Sequence, residues 1–176
     1  MAAGTFVPAA YPLLTSLLDG IVGEIAPPFD LSKLEGDAVF AFAADDDFEL
    51  RGRSVVDCLA ACYASYRARV EEADRLMPCD CDACRSIGDL ELKFVLHHGA
   101  FVMQSVAGQP ELLGPDVIVC HLLLKNHASD LIGRSGYALI TEPAVLKLAI
   151  PLEGSVPITE RYEHYPPVQA RVLALA

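Results

Sequence analysis

The sequence predicts an α+β fold in which helices cover a mostly antiparallel sheet. Two long segments, Pro12 to Ile25 and Ser54 to about Met77, repeat apolar residues at helical spacing. Short runs of strand length stand between and after them, Ala38 to Phe42 first. The resulting order of helix, strand pair, helix, strand pair, helix and strand is that of an α+β or α/β sandwich.

Residues 1 to 11 carry no strand pattern stronger than Thr5-Phe6-Val7. Pro12 suits a first helical turn, Leu13, Leu14, Leu17, Leu18, Ile21, Val22 and Ile25 line one face, and Pro27-Pro28 forbids continuation. The stretch from Leu31 to Phe42 then changes hydrophobic period. Lys33, Glu35 and Asp37 gather around Gly36, and the five apolar residues that follow read as a strand buried on both faces. The acidic run Ala44 to Asp47 reads as a turn and Phe48 to Arg53 as the returning strand of a hairpin.

Ser54 is placed to cap the second helix, with Val55, Val56, Leu59, Cys62, Tyr63, Tyr66 and Val70 on its inner face and Pro78 as its stop. After a cysteine-bearing loop, 78 to 89, a strand is expected at Leu90 to Leu96, ending in His97-His98-Gly99, with Ala100 to Val106 returning beside it. Gly108 to Pro115 reads as loop and Asp116 to Lys125 as a helix. Tyr137 to Thr141, Ala144 to Ile150 and Val168 to Leu175 are short strand or helix candidates. No repeat or linker divides the chain, so residues 1 to 176 are expected to form one domain.

A net charge of −11 with only 13 basic residues argues against a nucleic-acid partner, whose phosphates are bound mainly by Lys and Arg. The apolar run Leu13 to Ile25 is broken by Asp19, Gly20, Gly23 and Glu24 and lacks a basic flank, so neither a signal peptide nor a membrane span is expected. A cytoplasmic chain with reduced cysteines follows as the expectation.

The sharpest chemical pattern is Cys79-Asp-Cys-Asp-Ala-Cys84, where Cys79, Cys81 and Cys84 set three thiolates on one loop. That spacing suits zinc, with His97, His98 or His121 as a fourth ligand; the other reading is a reduced cluster or redox pair. Cys58 and Cys62 share a helix face and read as core. Lys33, Glu35 and Asp37 are ligand-binding candidates, against the alternative of solvated loop and hairpin-turn charges. Glu35 and Asp37 would face the same way on a strand, but two carboxylates make a weak site and Mg²⁺ is not expected. His97 and His98 must point to opposite faces, so at most one serves any given pocket. Tyr162, Glu163, His164 and Tyr165 read as a surface or interface patch.

Three stretches, Lys33-Leu-Glu-Gly-Asp37, Leu92-Lys-Phe-Val-Leu-His-His-Gly99 and Leu113-Gly-Pro-Asp-Val117, occur in the order and spacing of motifs in class III adenylate/guanylate cyclase domains. Over residues 12 to 126 the chain resembles these domains, and more closely an uncharacterised bacterial domain family related to them. The resemblance implies a cyclase-like (ferredoxin-like) sandwich, a homodimer and a nucleotide or other small-molecule ligand. It would assign base recognition to Lys33 and metal binding to Asp37, the one candidate catalytic residue. The sequence also departs from the family. No Asp precedes Asp19, so one of the two metal-binding aspartates is missing. Ile118 and Leu122 stand where the family has Asn and Arg, and a hydrocarbon cannot stabilise a phosphate in the transition state.

The family's first strand, central in its sheet, also has no clear counterpart. Its place is expected to be filled by residues 4 to 8, the C-terminal strand near Val168, a second subunit, or a segment ahead of the given start. The functional expectation is a ligand-binding or protein-interaction module without cyclase activity. The alternatives are an active phosphate-chemistry enzyme using Asp37, Glu35 and a metal, and a zinc-responsive module built on the cysteine loop.

Overall fold

A computed structural model describes residues 11–45, 49–76, 86–133 and 136–175. Cys79, Cys81, Cys84 and the Thr5–Val7 segment lie outside the described residues. In chain order the elements are α1 (Tyr11–Ile25), β1 (Asp30–Glu35), β2 (Ala38–Phe42), α2 (Arg53–Leu76), β3 (Lys93–Leu96), β4 (Val102–Val106) and β5 (Gln109–Leu113). There follow α3 (Pro115–Leu123), α4 (Ala128–Ile132), β6 (Tyr137–Thr141), α5 (Glu142–Leu148), β7 (Val156–Glu160) and β8 (Val168–Ala174).

The expected α+β class holds. One sheet runs β3-β6-β8-β7, with β3 parallel to β6 and the remaining pairs antiparallel; β1-β2 and β4-β5 are separate antiparallel hairpins. Every residue of β6 is buried, as its unbroken apolar run implies. Alternation splits β6 between two cores. Ala138 and Ile140 pack with Val55, Val56 and Leu59 of α2 and with Ala144, Val145 and Leu148 of α5. Tyr137 and Leu139 pack on the other face with Leu123 of α3, Ala128 of α4 and Ala170 and Val172 of β8. A third cluster joins Leu17 and Ile21 of α1 to Cys62, Tyr66 and Val70 of α2 and to Ile87.

The seven inner-face residues read for α2 are the seven that are buried there. At about 1.5–3 kcal/mol for each large apolar side chain removed from water, this face anchors the helix more strongly than its propensity does. Burial pushes the Cys62 thiol up to about 12, as suits a core cysteine that stays protonated.

Several expected pairings are corrected. The partner of β2 is the preceding segment Asp30–Glu35, and residues 49–52 form no strand. Gly36-Asp37 is therefore the two-residue turn of a hairpin, with Gly36 at φ +67 supplying the backbone conformation such loops require. Lys33 sits in a strand, not a loop, and Asp37 in the turn, so Glu35 and Asp37 are not alternate residues of one strand. Likewise β4 pairs with Gln109–Leu113, which reads as loop from sequence, and not with β3. Ala107 and Gly108, at φ +52 and +80, close that hairpin in the left-handed turn that matches strand twist. Ala144 to Ile150 lies largely in helix α5. The C-terminal strand is held between β6 and β7, so it does not lie beside β2.

Candidate functional site

Two charged clusters lie at the ends of these elements, both touching α3. The first is built on the β1-β2 hairpin. Lys33 Nζ donates to Glu111 Oε2 of β5 at 2.7 Å and lies 3.5 Å from Glu35 Oε1. Glu35 Oε2 is 3.3 Å from His121 Nδ1 on α3, and the His121 ring stacks on Phe40 at 4.7 Å between centroids. The hydrogen bond to Glu111 holds the Lys33 ammonium above its ordinary range, against a smaller opposing effect of desolvation. Lys33 and Glu35 thus meet as the sequence suggests, but Asp37 does not join them. It is exposed in the turn, and its charge is felt at Tyr66 of α2, whose hydroxyl is raised chiefly by burial.

The second cluster unites the second and third sequence motifs. His97 follows β3 and binds on both ring nitrogens: Nδ1 lies 2.9 Å from Thr141 Oγ1 and Nε2 lies 3.2 Å from Asp116 Oδ1. Asp116 Oδ2 accepts the Ala100 N–H at 2.8 Å. Burial alone would push the Asp116 carboxyl up; the Ala100 and His97 hydrogen bonds outweigh it and leave it below its ordinary value. In the neutral tautomer that carries its proton on Nε2, the imidazole donates to Asp116 and Nδ1 accepts the Thr141 hydroxyl.

Hydroxyl, imidazole and carboxylate stand here in the sequence of a nucleophilic triad. Thr141 is fully buried, however, so its oxygen is closed off from solvent. The trio ties the end of β3 to the start of α3 and the end of β6. His98 points away, as adjacency requires, to Asp45 Oδ1 at 3.2 Å; the Lys147 ammonium binds the same carboxylate and is the main cause of its lowered pKa.

Gly99 makes the second cluster sterically feasible. A Cβ there would lie 2.3 Å from Asp116 Cγ and 2.4 Å from its Cβ, and the Asp116 Cβ is fixed to the helix backbone. Gly99→Ala is expected to cost about 1–3 kcal/mol in denaturant melts, and to remove the His97–Asp116 contact as read by the His97 ring resonances. An unchanged melt and spectrum would contradict this geometry.

A further pair lies away from both clusters. Glu160 is 1% exposed and accepts the His127 N–H at 2.7 Å and His127 Nδ1 at 2.9 Å. The hydrogen bond to Glu160 is the first cause of a raised His127 pKa. The stability it contributes is present in full below the unfolded value of 6.5 and is lost as pH rises through the folded value. Melting temperature is therefore expected to fall as pH rises above roughly 6.5, and that decline to flatten in His127→Gln. An equal slope in both proteins would assign the effect elsewhere.

Glu111, Thr141, Asp45, Lys147 and the His127–Glu160 pair were not legible as site residues. The bonds Lys33–Glu111 and Lys147–Asp45 join residues 78 and 102 positions apart, and no local pattern marks such partners. The cysteine trio lies outside the described residues. Of its expected fourth ligands, His97, His98 and His121 each already have a carboxylate partner. The C-terminal patch is mixed: Glu163 and His164 are exposed and paired, whereas the Tyr162 hydroxyl is buried without a hydrogen-bond partner among the described residues, and burial pushes its pKa up to about 12. No helix among the described residues is long and apolar enough to cross a membrane.

Comparison with known proteins finds a match over residues 14–131 to a family described as "Protein of unknown function (DUF2652)". The uncharacterized protein Rv2561/Rv2562 of Mycobacterium tuberculosis is 34% identical over 142 residues, which cover 79% of this chain and 65% of that protein. The chain thus spans just under two thirds of the length of that relative. The family match runs from α1 through α4 and takes in Lys33, Glu35, Asp37, Glu111, Asp116 and His121, while Thr141, Lys147 and Glu160 lie beyond it.

Proposed function

The chain belongs to the DUF2652 family, and from that premise we propose that it is a non-catalytic, cyclase-like module that binds a small molecule or a protein partner. The observation that carries this reading is the closed pairing of the β1-β2 hairpin. A nucleotide phosphate reaching for Lys33 would have to displace Glu111 and would meet the carboxylate of Glu35 beside it. Asp37, the one metal-binding aspartate that the resemblance supplies, is exposed in the β1-β2 turn. Among the described residues no three His, Cys, Asp or Glu side chains stand close enough to share a metal ion. Fold-level likeness to an enzyme family does not by itself transfer the chemistry.

The test is titration with ATP and GTP in the presence of Mg²⁺ or Mn²⁺. Saturable binding or no binding, without cyclic nucleotide, is the expected result. Cyclic product that disappears in Asp37→Ala would establish the enzymatic alternative instead. A cytoplasmic homodimer belongs to the same proposal. Its support is the exposed apolar residues of the β4-β5 hairpin, where Val102 and Val106 on one face and Met103 on the other are at least half exposed. Sedimentation that gives a monomer at all concentrations would remove that part.

The cysteine pattern supports a second reading, a zinc site at Cys79, Cys81 and Cys84. Metal analysis after purification without chelator is expected to give one zinc per chain, and less than about half an equivalent would end the idea. Chelator should also lower the melting temperature of the loaded protein, because a ligand held only by the folded state stabilises it.

A further inference from the structure

The β1-β2 and β4-β5 hairpins stand side by side and enclose a cleft of about 160 Å³. They are joined by the Lys33–Glu111 ion pair at 2.7 Å and by the edge-to-face contact of Phe42 with Phe101, the residue before β4, at 5.6 Å. Strand register explains why the cleft is apolar. Met103 stands directly opposite Leu112, and Ser105 opposite Pro110, so these four share one face of the β4-β5 ribbon. Leu112, 5% exposed, forms the floor of the cleft, whereas Met103, 52% exposed, stands at its mouth. Leu31 and Phe42 line it from the other hairpin.

On that side β1 is irregular. Asp30 pairs with Phe42 and Leu31 with Ala41, but Lys33 pairs with Phe40, which leaves Ser32 as an extra residue in the strand. Asp30, Leu31 and Ser32 all line the cleft, three consecutive residues that an unbroken strand would present alternately to two faces. Bulges recur next to active sites, where they re-aim a side chain. Here the bulge adds a carboxylate and a hydroxyl to an otherwise apolar wall.

Charge and size select the occupant. The two charged residues that line the cleft, Asp30 and Glu111, are both carboxylates. Lys33 balances Glu111, while Asp30 is exposed and has no ion pair among the described residues. A chain of net charge −11 adds to the repulsion of anions. The cleft, at about 160 Å³, is smaller than the roughly 300 Å³ at which pockets for drug-sized ligands begin, so a nucleotide is too large as well as too negative. We propose that the cleft binds a small organic ammonium ion, with its hydrocarbon or aromatic body against Leu112, Phe42 and Met103 and its cationic end toward Asp30 and Ser32. The site supplies the small-molecule form of the proposed function with a ligand class, and rests on it.

Met103 reports on the cleft. The chain has three methionines, Met1, Met77 and Met103, so methyl-labelled methionine resolves its signal in the full chain. Phenethylammonium is expected to shift the Met103 methyl resonance saturably, with half-saturation at about 1 mM or below, while the Met1 and Met77 signals stay in place. Phenylacetate, which carries the same ring and the opposite charge, should need a concentration at least about tenfold higher. Asp30→Asn, an exposed and nearly isosteric change, should weaken phenethylammonium about threefold with little change in melting temperature. A Met103 signal unmoved at about 20 mM phenethylammonium would overturn the site, as would equal shifts at all three methionines. Equal affinity for phenylacetate, or an unaltered affinity in Asp30→Asn, would overturn its assignment to a cation. Cyclic product in the nucleotide titration would end the non-catalytic function without moving Met103, whereas a silent Met103 would end this site and leave that function standing.

Discussion

Gly136→Ala is expected to lower folding stability by about 3 kcal/mol, one of the two largest effects anticipated for a single substitution in this protein. Gly136 leads directly into β6, and a Cβ there would lie 2.0 Å from Cε2 and 2.5 Å from Cζ of Tyr63. Neither partner can easily yield. Tyr63 is buried on the inner face of α2, and its hydroxyl donates to Glu91 Oε2 at 2.9 Å, so swinging the ring aside breaks a part-buried hydrogen bond. The Gly136 carbonyl accepts the Leu175 N–H at 3.0 Å, which ties the backbone to the end of β8. The cost should therefore appear as a lower urea midpoint with an unchanged denaturant slope. Tyr63→Leu, which shortens the side chain, should be costly alone yet cost less in the Gly136→Ala background, because one change makes room for the other. Simple additivity of the two would mean that their contact does not govern the effect.

Glu160→Ala is expected to cost a similar amount, about 3 kcal/mol, for a different reason. The Glu160 carboxylate ends β7 against the core beneath α4, and its two oxygens take one donor each from His127. Truncation leaves the His127 backbone N–H without its acceptor and opens a cavity beside Tyr162, whose hydroxyl already lacks a partner among the described residues. Glu160→Gln is the informative companion. It keeps the volume but replaces one acceptor oxygen with a donor facing a donor, so it should recover the cavity part of the loss and not the hydrogen-bond part. If Gln restores full stability, the charge is unimportant and packing alone accounts for the Ala effect.

These two sites also mark where sequence reading succeeds and where it stops. The inner face of α2 could be read residue by residue, because seven apolar positions at helical spacing can be buried together in only one way. The apolar runs of β2 and β6 were legible for the same reason. The motifs Leu92–Gly99 and Leu113–Val117 were also visible, though nothing local foretold that His97, Gly99 and Asp116 would meet. β1 and β5 were missed because Asp-Leu-Ser-Lys-Leu-Glu and Gln-Pro-Glu-Leu-Leu mix polar and apolar residues without clean alternation and remain largely exposed. Their strand form comes from pairing across tight turns, Gly36-Asp37 and Ala107-Gly108, whose contribution is backbone geometry and not hydrophobic pattern.

Sequence by itself determined the fold class, the buried face of the long helix and the apolar strands, since burial of apolar side chains follows local period and needs no knowledge of the partner. Tertiary structure alone decided which charges meet: that Lys33 is held by Glu111, that His97 bridges Thr141 and Asp116, and that Glu160 is buried against His127. The physical reason is range. Hydrophobic period is written within a few neighbouring residues, whereas an ion pair or a shared proton is defined by two side chains that chain topology brings within about 3 Å from distant positions.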